Sequence, residues 1–313
     1  MGGNGCCSAN VNVFFQQQRQ PRRPASDRPV LSGPFFVRRL TTPPDSKSSV
    51  AVGLWKLRPI NPTRLRRRPA AVMWPENPVV SDVCAASFSG AVALSLLRFW
   101  QVTAKHTVFD SKLNRKLVHI SIGLVFMLCW PLFSSGHRGA VSAGLVPGVN
   151  IIRMLVLGLG LYKDEGTVKS MTRFGDYREL LKGPLYYACT ITFACVYYWR
   201  TSPIGIAAIC NLCAGDGLAD IVGRRFGSQK LPYNKNKSYV GSIAMATAGF
   251  IASVGFMHYF SHFGFIQESW DIVLGFLCVS IAAALVESLP ISTTLDDNLT
   301  VPVASFLIGS LVF

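Results

Sequence analysis

Residues 204–241 read IGIAAICNLCAGDGLADIVGRRFGSQKLPYNKNKSYVG, and this stretch decides the fold. Its first part is an apolar run that carries no charge before Asp216 and continues to residue 222, close to the roughly 20 residues a bilayer crossing needs. Its second part sets two aspartates, closely spaced glycines and five Lys/Arg at the end of that run. Ionisable groups at membrane depth are costly and mark places that bind or react. Carboxylates, pliant backbone and cations at one helix end suit a metal-bound phosphate.

The rest of the chain agrees with a membrane setting. Of 313 residues, 50% are hydrophobic and 15% charged, against about 25% charged in a soluble domain. Apolar runs at 83–100, 117–134, 141–161, 184–199, 204–222, 242–265, 271–291 and 301–313 alternate with polar loops. The predicted fold class is all-α: a polytopic membrane helix bundle of about seven to eight transmembrane helices, the last run being shorter than a full span. Loops 101–116, 162–183 and 223–241 carry 4, 5 and 5 Lys/Arg; the intervening loops 135–140, 200–203 and 266–270 carry 1, 1 and 0. That alternation is how positive charge orients a membrane protein, and it puts every motif below on one face.

The net charge is +15, and residues 1–75, with 13 Lys/Arg and 2 Asp/Glu, hold +11 of it. This segment is rich in Arg, Pro and Ser, poor in acids and without a long apolar core, the composition of an organelle transit peptide. We expect a disordered chloroplast transit peptide over 1–70, cleaved near Ala70-Ala71-Val72, and a membrane domain over 71–313. The plain alternative is a disordered basic tail. No basic and aromatic platform follows it, so nucleic acid is excluded as a partner, and the lipid bilayer is expected as one. Cys210-x-x-Cys213 has no second Cys or His pair nearby and reads as small apolar packing.

If 216–227 is helical, Asp216, Asp220, Gly223 and Gly227 fall at 0, 4, 7 and 11 and form one stripe. Asp216 and Asp220 then offer Mg²⁺ two carboxylates, and the glycines let a backbone or a phosphate approach. Arg224, Lys230 and Lys237 supply cations, and Lys237-Ser238 with Gly241 opens the next span. A Gly-rich packing contact with a positive surface loop is the competing reading. Arg115 and His119, one helical turn apart, bracket Lys116. They read as triphosphate ligands or topology anchors, and His119 as a proton carrier or a satisfied helix histidine. Lys182 is a phosphate ligand or a loop charge. Glu287, inside an apolar run, needs a metal, a proton or a partner. Asp296 and Asp297, with Asn298, complete a second metal site, position a substrate, or cap the helix that follows. Arg153, in mid-span, needs a partner, with Glu287 or a phosphate as candidates.

The pattern Asp216-x-x-Ala219-x-x-x-Gly223-x-x-x-Gly227 followed by Lys237-Ser238-x-x-Gly241 resembles the CTP-binding signature of the polyprenol kinase family. That family includes dolichol kinase and the plant phytol and farnesol kinases. Arg115-Lys116-Leu117-Val118-His119, Leu181-Lys182-Gly183-Pro184, Glu287-Ser288-Leu289-Pro290 and Asp296-Asp297-Asn298 are similar to the phytol/farnesol branch. Val240 stands where dolichol kinases often carry Glu. The likeness runs over roughly residues 112–313. It implies a chloroplast membrane kinase that uses Mg²⁺ and CTP to phosphorylate a long-chain isoprenoid alcohol, feeding prenyl-diphosphate salvage and tocopherol synthesis. In a chloroplast, the positively charged face that carries these motifs, and with it the nucleotide site, would be the stromal one. Catalytic roles would fall to Asp216, Asp220, His119 and Asp297. Nucleotide contacts would fall to Gly223, Arg224, Gly227, Lys230, Lys237, Ser238, Gly241, Lys116 and Lys182, and metal contacts to Asp216, Asp220, Glu287 and Asp296. The Gly223–Gly227 segment is also similar to phosphatidate cytidylyltransferases, so a CDP-lipid-forming enzyme is one alternative. A non-catalytic membrane carrier or scaffold is another. The chain has no P-loop and no soluble-kinase H-R-D or D-F-G set.

Overall fold

In a computed structural model that describes residues 77–293 and 295–313, the chain is built almost wholly from helices. The expected transit segment, 1–70, lies outside the described residues. The helices are α1 (Pro78–Lys105), α2 (Ser111–Leu128), α3 (His137–Gly158), α4 (Glu165–Met171), α5 (Gly183–Phe193), α6 (Pro203–Cys210), α7 (Asp216–Phe226), α8 (Tyr239–His262), α9 (Trp270–Ser288) and α10 (Asp297–Val312). Their starts follow local chemistry. Pro opens α1 and α6, where a missing N–H is harmless. Ser238, Ser269 and Asp296 cap α8, α9 and α10 with side-chain oxygens that accept from backbone N–H groups.

Among the described residues six segments are long and apolar enough to cross a bilayer: Pro78–Lys105, Ser111–Leu132, His137–Gly158, Pro203–Phe226, Tyr239–His262 and Trp270–Ser288. α6 and α7 belong to one of them, joined through a π-helical turn, Asn211–Gly215. α5 and α10 are shorter, yet both run between the same two ends as the long helices. α5 begins beside Asp296 and Asn298, and through a π turn, Ala194–Tyr198, it leads to Trp199, whose ring lies 5.2 Å from that of Trp130, tilted by 33°. α10 begins at Asp297 and ends with Phe313 against Phe276, near the start of α9. The alternation read from the loops therefore holds across eight helices, six of them full length. Leu145, Val149, Ile152, Ile243, Ile251 and Leu285 point outward and are exposed. An apolar exterior on this scale fits lipid as the solvent.

The end opposite the charged loops is tied by one residue. Arg200 is 1% exposed; it donates to the carbonyls of Phe133 (3.0 Å), Ser134 (3.1 Å) and Trp130, and lies 3.8 Å over the Phe265 ring. Ser134 in turn donates twice to Asp82 at 2.7 Å. Arg200→Met would take these donors from the three buried carbonyls and is expected to lower unfolding free energy by about 3–5 kcal/mol. Thermal unfolding of the detergent-solubilised protein checks this; an unchanged midpoint would show that the ties carry no stability.

At the charged end α7 and α8 nearly touch. A Cβ on Gly223 would stand 3.2 Å from Ser238 Oγ and 3.4 Å from Gly241 Cα. The room these glycines leave is taken by helix backbone. Between α7 and α8 the chain makes a small antiparallel hairpin, β1 (Lys230–Leu231) with β2 (Asn234–Ser238), an element the sequence reading left as loop. Asn234 Nδ2 donates to the Ser288 and Leu289 carbonyls at 3.0 and 3.2 Å, pinning the hairpin to the end of α9.

Candidate active site

The π turn ahead of α7 delivers Asp216 into the protein interior, where it is 2% exposed. Such turns widen a helix by one residue and recur at functional sites. Lys116 Nζ donates to Asp216 Oδ2 at 2.7 Å, and the Lys116 side chain is itself buried. His119 Nε2 lies 2.7 Å from the Leu212 carbonyl and 3.3 Å from Asp216 Oδ2. A carbonyl only accepts, so Nε2 carries the proton and donates it to Leu212, with the ring lying beside Asp216.

Asp216, Glu287 and Asp297 each place a carboxylate oxygen within 4.8 Å of the others. Lys237, from β2, bridges two of them, touching Glu287 Oε1 and donating to Asp297 Oδ2 at 2.9 Å. Burial works against the Lys237 charge, but Asp297 and Glu287 outweigh it and hold the ammonium pKa above its ordinary value. Three carboxylates face two ammonium groups, Lys116 and Lys237, which leaves one formal negative charge in a buried place. Oxygen donors with that surplus suit a hard divalent cation such as Mg²⁺.

The cluster forms the floor of a charged cavity of about 610 Å³. Eight basic residues line it (Lys112, Arg115, Lys116, Arg173, Lys182, Arg224, Lys230 and Lys237) against five acids (Asp216, Asp220, Glu287, Asp296 and Asp297). Gly223, Ser238 and Gly241 complete its wall, while Gly227 is not part of the lining. The fold thus gathers nearly all the expected residues, but in a different grouping. Asp220 is not in the acid cluster: it pairs with Arg224 at 2.8 Å, one turn along α7, and both are about one-third exposed. Asp296 is also outside it, because its side chain caps α10 by accepting from the Asn298 N–H at 3.0 Å. Asp297, expected beside it as a catalytic group, is the third carboxylate instead. Lys182 stands just ahead of α5 and lines the cavity without a capping bond.

A second cavity, about 420 Å³ and mostly apolar, lies among α1, α2, α3 and α5. Its lining includes Leu97, Val118, Phe126, Val146 and Ile191, with Arg115, His119 and Asn298 at its polar edge. Arg115 lines both cavities. Arg153, also in the lining, finds neither Glu287 nor an open site: it donates to Asp164 at 2.8 Å and Thr167 at 2.7 Å. It sits near the end of α3 rather than in mid-span, so a partner from the following loop reaches it. Cys210 and Cys213 are fully buried in the apolar core and belong to no acid, His or Cys cluster among the described residues.

Sequence reasoning missed Lys112 and Arg173 as cavity residues and gave Asn298 no separate role. The first two lie in the positively biased loops, so charge counting could have found them.

Searched against protein families, the chain matches no family model, and no solved structure matches it. Curated proteins do. "Probable phytol kinase 3, chloroplastic" of Glycine max is 70% identical over 77% of this chain and 76% of its own length. "Farnesol kinase, chloroplastic" of Arabidopsis thaliana is 67% identical over 80% of this chain and 82% of its own. "Phytol kinase 1, chloroplastic" of the same plant is 42% identical over 84% and 86%. Identity of this extent over more than three-quarters of the sequence settles the family: the chain belongs to the plant phytol and farnesol kinases.

Proposed function

We propose that this protein is a chloroplast membrane kinase that moves the terminal phosphoryl group of CTP to the hydroxyl of a long-chain isoprenoid alcohol. Phytol, farnesol and geranylgeraniol are the candidate acceptors, and their monophosphates would feed prenyl-diphosphate salvage and tocopherol synthesis. The observation that carries the reading is the junction of two cavities at Arg115, one cationic with a carboxylate cluster, the other apolar. A polyphosphate fits the first, where bases outnumber acids by eight to five. A hydrocarbon chain fits the second. The positive loops that build the charged cavity argue for a stromal nucleotide site.

Asp216, Glu287 and Asp297 would hold Mg²⁺, which neutralises phosphate oxygens when bound. Phosphoryl transfer needs chiefly positioning and charge neutralisation. Lys116 orients Asp216 by donating to its Oδ2, and His119 packs beside it. Lys182, Arg224 and Lys230, at the cavity wall, meet phosphate charge. Asp297 keeps a buried Oδ1 without a hydrogen-bond partner, and it adjoins Asn298 at the apolar cavity. We assign it the alcohol's proton. Selection of CTP rests on the Lys237-Ser238-x-x-Gly241 resemblance.

Membranes bearing the protein should turn labelled farnesol or phytol into the monophosphate with CTP and Mg²⁺, releasing CDP. Chelation by EDTA should stop the reaction. Release of pyrophosphate with a CDP-lipid product would instead make it a cytidylyltransferase. Absence of any CTP binding would leave the scaffold reading.

A further inference from the structure

The apolar cavity has a polar edge with a specific chemical demand. Two buried atoms there, Arg115 Nε and Asn298 Oδ1, have no hydrogen-bond partner. Asn298 is 6% exposed, and its orientation is set, because its amide nitrogen donates to Asp296 Oδ1 at 2.6 Å. A carboxylate only accepts, so the free end of Asn298 is the carbonyl oxygen. The edge therefore offers one N–H donor and one acceptor. An ionised phosphate or carboxylate brings no proton for Asn298, and an ammonium brings no lone pair for Arg115. A hydroxyl answers both. Asn298 lines the apolar cavity and not the charged one, and Arg115 lines both, so the pair stands at the boundary with its free acceptor on the hydrocarbon side.

The cavity behind that edge is shaped for a chain. Along α2 it runs from Arg115 to Phe126, roughly 16 Å at the helical rise of about 1.5 Å per residue. On α1 it meets Gly90, where an added Cβ would find nothing within 4 Å. Leu94, Leu145 and Val149, also in the lining, are exposed on the outer face of α1 and α3. A tail can pass between those helices from the bilayer.

We infer, resting on the kinase reading above, that the isoprenoid tail lies in this cavity. Its hydroxyl is held between Arg115 Nε–H and Asn298 Oδ1, and Gly90 sets the chain length accepted. Arg115, which spans both cavities, then places the hydroxyl at the entrance to the charged one.

The test is equilibrium binding of tritiated prenols to the purified protein in nanodiscs, run beside the kinase assay. Gly90→Leu should lower affinity for geranylgeraniol at least about tenfold more than for the shorter farnesol, since pockets resolve single methylenes by 10-fold or more. Wild-type protein should prefer farnesol to its methyl ether, which keeps the acceptor but lacks the donor. Asn298→Leu should shrink that preference about tenfold, with the nucleotide KM unmoved. An unchanged chain-length ratio in Gly90→Leu, or an unchanged alcohol-to-ether ratio in Asn298→Leu, overturns the inference. So does a wild-type protein that binds no prenol. Prenol binding with these ratios but without phosphorylation would overturn the kinase reading and leave the alcohol site standing.

Discussion

Asp216→Asn is expected to reduce prenol phosphorylation by at least roughly 10²–10³-fold, the scale of losing one preorganised electrostatic contact at a reacting centre. Asn keeps the size of Asp216 but removes the charge that Lys116 and the proposed Mg²⁺ share. The substitution also strands Lys116 as a buried unpaired ammonium, a change that destabilises by several kcal/mol. Loss of activity alone would therefore be ambiguous. The double variant Asp216→Asn with Lys116→Met removes the stranded charge; it should recover expression and thermal midpoint but not activity. Asp220→Asn is the contrasting case. Its partner Arg224 is a partly exposed neighbour one turn away, so the loss should stay within about tenfold. Near wild-type activity in Asp216→Asn would remove Asp216 from the chemistry. Equal losses at 216 and 220 would restore the paired-aspartate site suggested by their spacing.

The second large effect falls on Lys237. Lys237→Met takes away the ammonium that bridges Glu287 and Asp297 and leaves three carboxylates facing Lys116 alone. Activity should drop by about 10²-fold, and the thermal midpoint of the purified protein should fall in metal-free buffer. If the cluster is a cation site, Mg²⁺ replaces part of the missing charge. Added Mg²⁺ should then raise the midpoint of the variant by more than that of wild type. A variant no more responsive to Mg²⁺ than wild type would mean that the carboxylates do not hold the ion.

Several of these expectations differ from what residue spacing alone suggests, and particular residues show why. Asp216 and Asp220 are one turn apart on a helix face, which the sequence reveals. Their partners are not local: Lys116 lies 100 residues before Asp216, and Asp297 lies 60 after Lys237. Arg153 illustrates the reverse error. Its place in an apolar run points to a distant acid or a phosphate, while Asp164, 11 residues on, reaches it first. The Gly223 and Gly241 pair was legible as a close approach, but whether backbone or phosphate occupied the space depended on where α8 begins.

The sequence by itself determined the membrane bundle, the alternation of its helices and the face on which the chemistry gathers. Those properties follow from hydropathy, run length and loop charge, which act locally along the chain. Only the tertiary structure decided which carboxylates cluster, which cations answer them, and that a second, apolar cavity opens beside them at Arg115. Ionisable groups buried together compete for partners, and packing between distant helices settles that competition. The π turn at Asn211–Gly215 is part of the same decision: it presents Asp216 to Lys116 and leaves Asp220 to Arg224.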